Sequence, residues 1–144
     1  MNKIHFSSSK DDWATPKWLF DRLNEEFNFT CDLFASKENA LCPDYITDCF
    51  NTKYVSKGWA FGNPPYRAKK PTTGDFVQWA YTYAQPCVLL LPARTDTKMW
   101  HDYCMKGEIR FIKGRLHFGG HKDPAPFPSA IIVFPGKKVL TFEQ

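Results

Sequence analysis

The period of the hydrophobic positions changes several times along the chain, and each change predicts an element. Leu19, Phe20, Leu23 and Phe27 recur at helical spacing. Thr15 can cap that helix, and Pro16 suits its first position. The period then drops to two. Phe29, Cys31 and Leu33 alternate with Thr30, Asp32 and Phe34, which predicts a strand. Residues 36–57 hold no clear period and read as a short helix and loops, with a brief extended piece near 45–47. A short strand, Trp59–Phe61, runs into Gly62-Asn63-Pro64-Pro65-Tyr66. The polar, basic stretch from Arg67 to Gly74 reads as a mobile loop. Asp75 can cap a helix that buries Phe76, Val77, Ala80, Tyr81 and Ala84 and stops at Pro86. Cys87–Leu91 is a continuous apolar run, as in a strand buried on both faces, and Pro92 ends it. A helix over 97–106 with Gly107 past its end follows, then extended pieces at 108–112, 115–118 and 130–134.

Strand and helix alternate through most of the chain and its end is rich in strands. This predicts the α/β class with a mostly parallel sheet. A chain of 144 residues fits one domain, read as a polar arm over 1–12 and a single catalytic domain over 13–144. A content of 43% hydrophobic and 17% aromatic residues argues against disorder. No apolar run reaches the length of a membrane span and the polar start does not read as a signal peptide. The expectation is a cytoplasmic protein with no membrane partner. The five cysteines are scattered, without a C-x-x-C and without a His pair at zinc spacing. They read as reduced thiols and no metal is expected, although Cys31, Cys42 and Cys49 leave room for a structural zinc. A net charge of +4 permits contact with a polyanion without establishing it.

Ligands of an open α/β sheet bind outside the carboxyl ends of its strands. Asp32 and Asn63–Tyr66 both fall there. Proline makes up only ~5% of average sequences, so Asn-Pro-Pro-Tyr at a strand end is uncommon by chance. Two prolines fix two φ angles and remove two N–H groups, leaving a stiff turn whose carbonyls can accept bonds from a ligand. The Asn63 side-chain oxygen and the Pro64 carbonyl can converge on one planar –NH2 group, and Tyr66 offers a flat face to a heteroaromatic ring. Such a pair positions an amine for attack on a methyl group and needs no general base beforehand.

Asn63-Pro64-Pro65-Tyr66 matches the catalytic motif of amino-methyltransferases. Together with Asp12-Trp13-Ala14-Thr15-Pro16, Cys31-Asp32-Leu33-Phe34-Ala35, Leu91-Pro92-Ala93-Arg94 and Gly114-Arg115-Leu116, the layout resembles the phage DNA adenine N-6 methyltransferase (Dam-type) family. The resemblance runs from about Asp11 to Phe134. It implies a reduced Rossmann-like methyltransferase fold that ends in an antiparallel hairpin, with 108–112 or 115–118 pairing with 130–134. It also implies S-adenosylmethionine as methyl donor and N-6 of an adenine flipped out of double-stranded DNA as acceptor. A phage-encoded member would work in the host cell cytoplasm. By residue, it implies catalysis at Asn63, Pro64, Pro65 and Tyr66, and donor binding at Trp13, Thr15, Pro16, Asp32, Phe34 and Ala35. DNA contact falls to Arg67, Lys69 and Lys70, with the 119–128 loop carrying His121 and Lys122.

Two departures from the family stand out. Asp32–Ser36 contains no glycine, and the short interval between Asp32 and Asn63 truncates or removes the usual second and third strands. The carboxylate for the donor ribose is open among Glu38, Asp44 and Asp48. Other planar amines (RNA adenine, cytosine, protein glutamine) and a catalytically lapsed nucleic-acid-binding module stand as alternatives, and a domain this small is compatible with a homodimer or a partner subunit.

Overall fold

Residues 13–136 are described by the computed structural model; the polar arm expected over 1–12 lies outside the described residues. The chain runs through α1 (Lys17–Phe27), β1 (Cys31–Asp32), β2 (Asp44–Tyr45), β3 (Ala60–Gly62), α2 (Thr73–Tyr83), β4 (Cys87–Pro92), α3 (Lys98–Asp102), β5 (Glu108–Phe111) and β6 (Ser129–Phe134). One sheet holds all six strands in the order β2-β1-β3-β4-β6-β5. The first four are parallel, and β6 runs antiparallel to both β4 and β5. This is a reduced Rossmann-like sheet with an antiparallel end.

β4 is buried on both faces because its side chains serve two layers in turn. Leu89 and Leu91 pack with Val77 and Ala80 of α2 and Trp100 of α3. Val88 and Leu90 pack with Leu19, Phe20 and Leu23 of α1 and with Phe118. Each such buried leucine stabilises the fold by about 1.5–3 kcal/mol, so the apolar run is the axis of the structure.

Several elements differ from their sequence signals for identifiable reasons. The period-two stretch 29–34 gives only two ladder residues, although Thr30 and Leu33 continue the pairing through N–H bonds to the carbonyls of Trp59 and Phe61, both 2.8 Å. The interval before Asn63 keeps one short strand, β2, close to the extended piece expected near 45–47. Leu116 and Phe118 do point inward, but 115–118 is not a strand. Its neighbourhood is tied by Ala125 N–H to Leu116 O at 2.8 Å and by a bridge between Ala14 and Gly119. The hairpin partner of β6 is therefore β5. α2 starts at Thr73, two residues before the expected Asp75 cap. Thr72 is its N-cap, and Asp75 returns the bond in a capping box (Asp75 N–H to Thr72 Oγ1, 3.1 Å; Thr72 N–H to Asp75 Oδ2, 2.8 Å). The helix expected over 97–106 breaks at Tyr103 into α3 and a 3₁₀ turn, Cys104–Lys106.

The strand order sets where a ligand can sit. The connection from β1 leads to β2 on one side and that from β3 leads to β4 on the other, which opens a crevice between β1 and β3 at their carboxyl ends.

Gly107 passes close beneath β6: a Cβ placed there would lie 2.6 Å from the Val133 carbonyl oxygen and 2.8 Å from the Phe134 ring. Gly107→Ala should therefore lower stability by about 1–3 kcal/mol through overpacking. Gly74→Ala, whose Cβ would meet nothing nearer than 3.5 Å inside α2, should leave stability unchanged or raise it. Urea unfolding of the two variants checks the contrast.

Candidate active site

The crevice between β1 and β3 holds a cavity of about 190 Å³. Trp13, Thr15, Asp32, Phe34, Asn63, Pro64 and Pro65 line it, which brings together seven of the residues singled out in the sequence. Ala14, Asn39, Leu41 and Phe61 join them and are not among the site residues expected from the sequence.

Asn63 follows directly on β3, and its carboxamide is fixed from one side. Nδ2 donates to the Trp13 carbonyl at 2.5 Å and to Thr15 Oγ1 at 3.0 Å. A carbonyl can only accept, so the NH2 end must face Trp13 and the orientation of the amide is determined by chemistry. The Oδ1 end is buried and has no hydrogen-bond partner. Thr15 thus spends its hydroxyl on Asn63 and does not cap α1; Pro16 takes the N-cap position and no side chain caps the helix. Pro16 is buried and Ala35 gives its N–H to Ile46 O at 2.9 Å, so neither of these two expected donor-binding residues lines the cavity.

The glycine-free turn after Asp32 is built by side-chain acceptors. Asp32, only 4% exposed, accepts from Leu41 N–H at 3.0 Å and, more weakly, from Phe34 N–H at 3.5 Å. Asn39 Oδ1 accepts from Ser36 N–H at 2.7 Å. Burial pushes the Asp32 carboxyl above the ordinary aspartate range, and the two backbone bonds partly oppose that shift. Phe34 closes the floor, edge-on to Phe76 and Trp79. None of Glu38, Asp44 and Asp48 lines the cavity.

Tyr66 lies on the other side of the turn. Its hydroxyl donates to Leu90 O at 3.0 Å, its ring stands edge-on to Phe118 and Phe127, and burial raises its pKa far above that of a free phenol. It lines a second, larger cavity of about 880 Å³ with Arg67, Lys70 and the start of α2. The turn is therefore a wall between two cavities. Thr73 pins its far end: Oγ1 donates to Pro65 O at 2.9 Å and accepts from Arg67 N–H at 2.7 Å. The loop expected to be mobile is closed at its neck by these bonds and by Thr73 N–H to Arg67 O at 3.0 Å. Lys70 pairs with Asp75 at 3.6 Å, whereas Lys69 is exposed and lines neither cavity.

Trp13 packs as well as lining the cavity. Its ring stacks on His121 with centroids 4.0 Å apart and meets Phe118 and Phe127 edge-on. The loop carrying His121 is thereby anchored over the site. Among the described residues no three His, Cys, Asp or Glu side chains gather as a metal site, and the five cysteines are buried free thiols.

A switch-point cavity walled by an Asn-Pro-Pro-Tyr turn defines a class, the amino-methyltransferases of Rossmann-like fold. The family model for DNA N-6-adenine-methyltransferase (Dam) matches residues 4–133, and the chain belongs to that family. It is similar to the DNA N-6-adenine-methyltransferase of Haemophilus phage HP1, at 30% identity over an alignment of 144 residues spanning 90% of this chain and 82% of the relative. It is also 40% identical over 65 residues to YfdM of Escherichia coli K12, a protein whose name assigns it to the methyltransferases. That match spans 39% of this chain and 71% of the relative. Family membership makes the chain an enzyme that methylates N-6 of adenine in DNA.

The raised pKa of Asp32 has a pH signature. A carboxyl whose folded pKa lies above its unfolded value stabilises the fold most below the unfolded pKa, and this contribution is lost as pH rises through the folded pKa. The wild type should therefore lose stability relative to Asp32→Asn as pH rises through the Asp32 titration. Urea unfolding across the acid and neutral range tests this, and a constant difference contradicts it.

Proposed function

We propose that S-adenosylmethionine is the methyl donor, held in the switch-point cavity, and that Asn63 and Pro64 grip the amine of an adenine flipped from double-stranded DNA. The observation that carries this reading is the buried Asn63 Oδ1 with no partner, the one such atom among the described residues that line this cavity. The side chains present fit the donor. Asp32 places a buried carboxylate where a cation would offset its charge, and Phe34 supplies an aromatic face. The cavity is smaller than the roughly 300–1,000 Å³ of sites that enclose a ligand of this size, which suits it to one end of the molecule.

When bound, S-adenosylmethionine supplies an electrophilic methyl group on a sulfonium. The protein's part is to hold and aim the acceptor. Asn63 Oδ1 and the Pro64 carbonyl accept the two N–H bonds of the amine and turn its lone pair out of the ring plane. As nitrogen gains positive charge, these two acceptors attract it more strongly than in the ground state, which is where catalysis comes from. Tyr66, locked by Leu90 O and by the edges of Phe118 and Phe127, offers a rigid surface to the adenine ring on the side of the larger cavity. Arg67, Lys69 and Lys70 follow immediately and supply phosphate contact. Donor and DNA meet in the cytoplasm, where we place the reaction.

Asn63→Ala should lower methyl transfer to DNA about 10²–10³-fold, the effect of losing one aimed polar group. Calorimetric binding of S-adenosylmethionine should be largely kept; transfer near the wild-type rate would refute the mechanism. Thr15 acts through Asn63, so Thr15→Val should reduce kcat about tenfold with little change in KM for DNA, and Thr15→Ser should restore it. Steady-state kinetics with labelled donor reads both. A Ser variant as slow as the Val variant would remove the positioning role.

A further inference from the structure

We infer that Arg94 binds a backbone phosphate of the DNA at the mouth of the larger cavity, a contact that rests on the adenine methyltransferase reading above. Four basic side chains line that cavity: Arg67, Lys70, Arg94 and Lys98. Two of them are countered by nearby acids. Lys70 lies 3.6 Å from Asp75, and Lys98 lies 3.1 Å from Asp102. Arg94 has no carboxylate within ion-pair distance among the described residues, so its positive charge is available to an incoming anion.

Its placement is fixed from below. Arg94 follows the carboxyl end of β4, where Ala93 N–H donates to Pro128 O at 2.8 Å and Arg94 N–H donates to Pro92 O at 2.9 Å. Its carbonyl accepts from Thr97 Oγ1 at 2.7 Å and Thr97 N–H at 3.2 Å, which ties it to the start of α3. The guanidinium lies over the Phe127 ring at 5.6 Å, and that ring stands edge-on to Tyr66 at 5.7 Å. Arg94 is thus one ring away from the proposed adenine platform.

The chemistry follows from this cation–π contact. A guanidinium carries a fork of N–H donors that matches two oxygens of a phosphate. Contact with the ring also restricts the rotamer freedom that a long side chain would otherwise lose on binding. An adenine seated against Tyr66 brings its own backbone phosphates along. A fixed, uncompensated cation beside Tyr66 is placed to hold one of them while the base is out of the helix.

Arg94→Gln and Arg94→Lys test this on the full chain. A labelled duplex of mixed sequence gives affinity as a function of salt without donor, and plasmid DNA gives KM, kcat and the methylated sequence. Arg94→Gln should reduce the slope of log affinity against log salt by about 0.9, the contribution of one phosphate. Its KM for DNA should rise about tenfold, with S-adenosylmethionine binding, Tm and the methylated sequence unchanged. Arg94→Lys should keep the slope while losing part of the affinity, since a lysine is a point charge without the fork. An unchanged slope with lowered Tm would make Arg94 a structural residue and overturn the assignment. So would a relaxed methylated sequence, which marks a base reader, or weakened donor binding. Wild-type protein that binds DNA with the expected salt slope, lost in Arg94→Gln, but transfers no methyl would leave Arg94 standing and remove the catalytic reading. Wild-type protein that does not bind the duplex would remove both.

Discussion

The two hydrogen bonds that fix the Asn63 carboxamide are the constraint from which the rest of the site follows. The Trp13 carbonyl and the Thr15 hydroxyl take the NH2 end, and the oxygen is left buried without a partner on a residue that lines the switch-point cavity. For this to happen, the segment before α1 must cross the carboxyl ends of β1 and β3. It is held there by the bridge from Ala14 to Gly119 and by the Trp13–His121 stack. Sheet order, aromatic packing and the amide orientation are therefore one arrangement. An asparagine free to flip would also present its NH2 group to the amine of the proposed substrate, two donors against each other. The tether removes that state before any ligand arrives, so the orientation is prepaid in folding.

The stiff turn also divides the work. Asn63, Pro64 and Pro65 look into the cavity bounded by Asp32 and Phe34, while Tyr66 and Arg67 look into the larger, basic one. Two prolines keep the strand end from relaxing, and Thr73 closes its far side on the Pro65 carbonyl. The ladder at β1 and β2 is brief, and side chains such as Asp32 and Asn39 hold the connecting loop in place of glycine.

Much of this was legible in the sequence, and what was missed shares a cause. The apolar run of β4, the helical spacing of α1 and the Asn63–Tyr66 turn are local patterns, and each identified its element. Thr15 has the local pattern of a cap, a hydroxyl before a helix, yet its partner lies far along the chain at Asn63. Residues 115–118 alternate as a strand does, yet alternation reports burial of one face and says nothing of a ladder partner. Asn39 and Leu41 carry no motif; Leu41 is held at the cavity by its N–H bond to Asp32, and Asn39 by accepting from Ser36 N–H. Pro16 and Ala35 flank lining residues but are buried outside this cavity, a distinction that a motif does not encode.

The central claim is that this small sheet carries a complete site for methylation of adenine at N-6. Mapping of modified bases on DNA incubated with the protein and S-adenosylmethionine tests it most directly. The account predicts N6-methyladenine in a defined sequence context and no methylated cytosine. Methylation confined to cytosine, or DNA left unmodified, would contradict it.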